Sequence, residues 1–151
     1  MRDQKGFTFI ETLIVFVIIA IVAAVAIPQF RKMAVNGNLK AAAKDIMGDF
    51  SYLRERAVSE NTSFAIAFNQ GNNQYTIPSP GGKVKSPASF ANDIQITGVS
   101  LTDHTTTLTL LARGTTSPPG PNTITLTNGR GSSATITILT AGRIYVQYAL
   151  Q

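Results

Sequence analysis

The stretch from Phe7 to Ile27 holds 21 residues, of which only Thr8, Glu11 and Thr12 are polar. As a helix rising about 1.5 Å per residue it spans roughly 31 Å, the thickness of a bilayer's hydrocarbon layer. Fourteen of its residues are Leu, Ile, Val or Phe. At about −0.3 to −0.6 kcal/mol each, they favour insertion by roughly 4 to 8 kcal/mol as an upper bound. A central acidic residue costs about 2.5 to 3.5 kcal/mol on the same scale, and Glu11 sits near the end, where the penalty is smaller. Insertion therefore wins with the acid in place. An ionisable group kept at such a position points to a function and to a partner.

Charge does not orient the span. Arg2 and Lys5 precede it, while Arg31 and Lys32 follow it, so the excess of cations that marks a cytoplasmic flank is tied. A secretory signal peptide is one alternative: Arg2 and Lys5 supply the basic region, and Ala24-Val25-Ala26 a cleavage site before Ile27. Signal cores run about 7–15 residues; this apolar run is longer and carries Glu11 inside it.

The leader and span together resemble the processing site of type IV prepilins and pseudopilins. "KGFTFIE" has a short basic leader ending in Gly6, then Phe7, with Glu11 the fifth residue and Pro28 the twenty-second after that junction. The resemblance implies that a membrane-embedded prepilin peptidase cuts after Gly6 on the cytoplasmic side and methylates the new amine of Phe7. It also implies that residues 1–6 are the leader and that the apolar run survives maturation. In this family the Glu at that place meets the new amine of a neighbouring subunit as filaments assemble. A lone carboxylate in lipid is costly, and one paired with an amine much less so. The helix macrodipole also favours an acid near the start of the helix. The plainer alternative is a Glu11 side chain that only reaches out to the head groups.

Pro28 removes a backbone donor and is expected to bend or interrupt the helix. The helical pattern then resumes. Leu39, Ala43, Ile46, Phe50, Leu53 and Ala57 form one apolar stripe, with Lys40, Lys44, Asp45, Arg54 and Glu55 largely off it. Gly37 and Gly48 weaken the helix and permit bending. From Phe7 to about Ser59 the expected helix is about 80 Å long at about 1.5 Å per residue. Residues 7–27 would be its membrane and filament-core half, residues 28–60 the amphipathic half packed on a domain of residues 61–151.

The remainder changes period. Phe64, Ile66 and Phe68 alternate with Ala65 and Ala67 as a half-buried strand does. "GNN" turns the chain and "QYTI" returns it, while Pro78 to Pro87, "PSPGGKVKSP", reads as a loop. Further strands are expected at Ile94–Thr97, Thr106–Leu111, Thr123–Thr127, Ala134–Thr140 and Arg143–Tyr148. Charged residues make up only 14% of the chain, and Thr, Ser, Asn and Gly crowd its second half, which suits β structure with a neutral, hydroxyl-covered face. The expected fold is α+β and type IV pilin-like: a long N-terminal helix packed on an antiparallel β domain.

Two further stretches resemble the GspH/FimT-type minor pseudopilins. "AAAKDIMGDFSYLRERAVSENTSFAIAF" is similar to that group's passage from helix to first strand, with an imperfect arginine spacing. "TITILTAGRIY" is similar to its last hairpin with a Gly-Arg pair.

The residues of enzymes are sparse. There is no cysteine, which excludes disulfides, thiolate chemistry and Cys-based zinc or iron–sulfur sites. After residue 61 the acids are Asp93 and Asp103 alone, read as turn or surface residues. His104 follows Asp103 directly, and adjacency in sequence is not triad geometry. "GRGSS" lacks the third Gly of a dinucleotide fingerprint, and "PSPGGKVK" lacks a phosphate loop's ending. No catalytic residue, metal ligand or cofactor is expected, although a calcium site built from backbone carbonyls stays open.

Nucleic acid is a second partner class. The net charge is +5, but its cations are scattered. Some FimT-type minor pilins bind DNA through a basic Gly-Arg-x-Arg element. Here Gly142, Arg143 and Ile144 are followed by Tyr145 where the second Arg would stand. Arg113, Arg130, Lys83 and Lys85 are further candidates for phosphate contact if the fold gathers them.

The expected function is that of a minor pilin or pseudopilin, a structural subunit of a type IV pilus or type II secretion filament. Its partners would be other pilin subunits, the prepilin peptidase, the inner-membrane assembly platform, and membrane lipid before assembly. It would be a single-pass inner-membrane protein with its β domain outside the cytoplasm, passing into a periplasmic or extracellular filament. A major pilin, a DNA-uptake minor pilin and a secreted β domain are the alternatives.

Overall fold

The computed structural model describes residues 7–78 and 82–151. Gly6 with the rest of the leader, and residues 79–81 of the expected loop, lie outside the described residues. Helix α1 runs Phe9–Ser59. The chain divides into two compact units, Met1–Ala34 and Val35–Gln151.

The described part of the first unit is helical from Phe9. Thr8 caps it: the Glu11 N–H donates to Thr8 Oγ1 at 3.3 Å. Thr8 and Glu11 thus stand three apart at the helix start, the spacing of a capping box. The helix continues through Pro28, so the expected interruption does not occur. Proline deletes the bond to the carbonyl four residues back and its ring crowds that carbonyl, but the turns on either side keep their bonds.

In the second unit, residues 35–59 of α1 pack on two antiparallel sheets. One has the order β3-β2-β1-β5-β6 and the other β4-β7-β8-β9. Their strands are β1 Phe64–Asn69, β2 Gln74–Ile77, β3 Lys83–Lys85, β4 Gln95–Ser100, β5 Thr107–Leu110, β6 Thr116–Ser117, β7 Pro121–Thr127, β8 Ser133–Leu139 and β9 Ile144–Ala149. All six stripe residues of α1 are at most 1% exposed, joined by Ala42. They meet Ile66, Leu108 and Leu110 of the first sheet and Ile124, Leu126, Ile136 and Ile138 of the second. Phe50, Phe68 and Tyr75 stack in a row, with ring centroids 6.2 and 5.9 Å apart. Alternation decides the inward face: in β7, Asn122, Ile124 and Leu126 are buried between less buried threonines.

Two strands depart from expectation. Lys83–Lys85 lies within the stretch expected to be a loop, yet it pairs with β2 through Tyr75↔Lys85, Thr76↔Val84 and Ile77↔Lys83. Thr116–Ser117 pairs with β5. Both are too short to show a period, and the edge of a neighbouring strand supplies their order. Pro87–Ser89 forms a 3₁₀ turn capped by Ser86.

Candidate functional site

The apolar stem is the first candidate surface. Its membrane-length window has a mean hydropathy of 3.0 and is 0% buried. Phe7 is 82% exposed and Phe9 84%. Soluble monomers rarely expose contiguous apolar patches beyond a few hundred Å², so this surface requires lipid or protein to cover it. Glu11 is exposed in the first turn of α1, where its charge faces the positive end of the helix dipole. No described ion pair involves it. Thr8 was not anticipated as its neighbour, although the Thr-x-x-Glu spacing was readable.

The second candidate is the set of arginines. Arg54 Nε donates to Gly114 O at 3.1 Å. Gly114 lies in the turn between β5 and β6, where its N–H donates to Leu111 O at 2.8 Å. Gly142 lies in the turn between β8 and β9, and a Cβ there would stand 2.3 Å from Gly114 O and 2.7 Å from Arg54 Nε. Arg113 and Arg143 flank these glycines and are exposed. The fold therefore brings the Arg113 and Arg143 turns together beside Arg54. It does not bring Arg130 to them: Arg130 precedes β8, and Arg143 follows it. A strand of seven residues separates the two, about 23 Å at about 3.3 Å per residue. Tyr145 is 43% exposed.

Two polar networks fix the β domain to its helix. Asp49 Oδ2 accepts from the Tyr75 hydroxyl at 2.7 Å and from Lys85 Nζ at 2.6 Å. Asp45 Oδ2 accepts from the same hydroxyl at 3.1 Å and pairs with Lys85. Burial, reinforced by these carboxylates, pushes the Tyr75 hydroxyl far above the usual phenol range. Burial pushes the Lys85 ammonium down, but its bonds to Asp45 and Asp49 outweigh that and leave it raised. At the other end of the domain helix, Asn36 Oδ1 accepts from Ser132 Oγ at 2.9 Å and Asn128 Nδ2 at 3.4 Å. Asn36 Nδ2 donates to Gln151 O at 3.3 Å.

The remaining polar candidates serve turns. Asp93 Oδ2 accepts from the Gly129 N–H at 3.1 Å. Asp103 Oδ1 accepts from the Thr105 hydroxyl at 2.8 Å and from its N–H at 3.0 Å, not from His104. The Thr105 hydroxyl bond holds the Asp103 carboxyl below its usual value. Among the described residues no three His, Cys, Asp or Glu side chains converge as metal ligands.

A long N-terminal helix, its first half an exposed apolar stem and its second half packed on antiparallel sheets, is the architecture of a type IV pilin. Residues 1–27 match the prokaryotic N-terminal methylation motif, and residues 42–142 match the family described as type II transport protein GspH. The chain belongs to that GspH family. It is similar to two fimbrial proteins of Pseudomonas aeruginosa, each 35% identical over 80 residues, covering 46% of this chain and 52% of the relative. The chain thus spans about half the length of the curated relatives it matches. Its fold is similar to the type IV minor pilin FimU of Pseudomonas aeruginosa in two crystal forms. One form gives a TM-score of 0.57 at 21% identity, covering 74% of this chain and 90% of FimU. The other gives 0.54 at 20% identity, covering 72% and 92%.

Proposed function

We propose that this chain is a minor pilin-like subunit of a type IV pilus or type II secretion filament and works by assembly, not catalysis. The observation that carries the reading is the apolar stem, none of it buried, within the N-terminal methylation motif. The prepilin peptidase cuts after Gly6 and methylates Phe7. Residues 7–27 anchor the subunit in the bacterial inner membrane, with the β domain outside the cytoplasm. On the assembly platform the stem leaves lipid for the filament core, where Glu11 meets the Phe7 amine of a neighbouring subunit. A carboxylate and an amine paired at low dielectric escape most of the cost each incurs alone, so the docked register is favoured over others. Pro28 and Gly37 give the long helix its shape or compliance.

The test is Glu11→Ala. The variant is expected to insert into the membrane as wild type does but to be missing from sheared filaments. Normal incorporation would contradict the pairing.

A second reading, duplex DNA binding, has one support: Arg54, Arg113 and Arg143 lie at one end of the domain. Titration of duplex DNA tests it, since phosphate binding weakens steeply with salt. No binding at low salt would end it.

A further inference from the structure

The last turns of the apolar unit are two-sided. At about 100° per residue, Ile27, Phe30, Met33 and Ala34 fall within an arc of about 120°, while Pro28, Gln29, Arg31 and Lys32 occupy the other side. Ile27, Phe30 and Met33 are 51%, 69% and 70% exposed. Arg31 and Lys32 are exposed too. No acid occurs between Glu11 and Asp45, and neither cation belongs to a described ion pair. Arg31 lies twenty positions after Glu11. At about 1.5 Å per residue that is about 30 Å, so when Glu11 lies at one membrane interface Arg31 lies at the other.

We propose that residues 27–34 form an interfacial collar that recruits anionic phospholipids in the leaflet opposite the leader. Ile27, Phe30 and Met33 sink into the acyl boundary, and Arg31 and Lys32 stand among the head groups, as in helices that lie at a membrane surface. The charge pattern favours lipid over a neighbouring protein as the first occupant, because the cations begin where the hydrocarbon-length run ends. Their placement also has a cost on the side where positive charge is disfavoured, and anionic head groups offset it. This inference rests on the membrane-embedded reading above.

The test reconstitutes the full chain in phosphatidylcholine bilayers and compares spin-labelled phosphatidylglycerol with spin-labelled phosphatidylcholine at the protein boundary. Each basic residue near an anionic surface contributes about a fivefold preference. The anionic lipid is therefore expected to be favoured, with that preference falling about fivefold or more in the Arg31→Gln/Lys32→Gln double variant and in high salt. Equal association of the two lipids with the wild-type chain, or a preference unchanged in the double variant, would overturn the collar. A chain that does not insert into the bilayer would overturn the membrane reading itself, a separate result.

Discussion

Arg54 Nε donates to the carbonyl of Gly114 at 3.1 Å, and Gly142 closes over the pair. One helix residue thereby bonds one turn and lies against a second that is far from it in sequence. Gly142 adopts φ +70° and Gly114 φ +75°, a conformation that side chains disfavour.

Gly142→Ala should therefore fail on two counts. Its Cβ would stand 2.3 Å from Gly114 O, and its backbone would be strained. We expect a loss of about 2 kcal/mol or more in denaturant unfolding. Gly48→Ala is the contrast: no heavy atom lies within 4 Å of its added Cβ, and the helix should gain about 0.5–1 kcal/mol. Equal effects of the two substitutions would contradict the clamp.

The Asp45–Asp49–Tyr75–Lys85 network predicts alkaline lability. Tyr75 and Lys85 both bind their protons more tightly in the folded chain. Their contributions are complete below the ordinary values of 10.0 and 10.5 and fade as pH rises through the raised ones. Stability measured in urea should fall once pH passes about the ordinary phenol value, and Tyr75→Phe should make that fall shallower. Burial raises Tyr148 in the same direction, so Tyr148→Phe measures how much of the effect lies elsewhere. A slope unchanged by Tyr75→Phe would count against the network.

Asn36 ties the domain helix to the β7–β8 turn. Ser132 is 0% exposed and donates to the Asn36 amide oxygen. Asn36→Ala removes the acceptor of that hydroxyl's proton and should cost about 1–3 kcal/mol. Asn36→Asp keeps an acceptor and should lose less. The unfolding midpoints of the two variants check this ordering.

Much of this was legible because it is periodic. The stem showed in its length and lack of charge, and the stripe from Leu39 to Ala57 in its spacing of three and four. Most strands showed in their alternation, with ends displaced by a residue or a few. Strands β3 and β6 were not legible, since two or three residues carry no period and their order comes from a partner. The Arg54–Gly114 and Asn36–Gln151 bonds join positions 60 and 115 residues apart, and nothing local announces such pairs. The separation of Arg130 from Arg143 was within reach, because the expected strand Ala134–Thr140 already stood between them. The Thr8 cap was also within reach, in the three-residue spacing to Glu11.

We propose that the apolar stem is retained in the working protein, where Glu11 finds its counter-ion only in an assembled filament. Mass spectrometry of the mature N-terminus, on protein purified from its native membrane, tests this most directly. The expected chain begins at Phe7 and carries a methylated amine. A chain that begins at Ile27, with the stem removed, would contradict it.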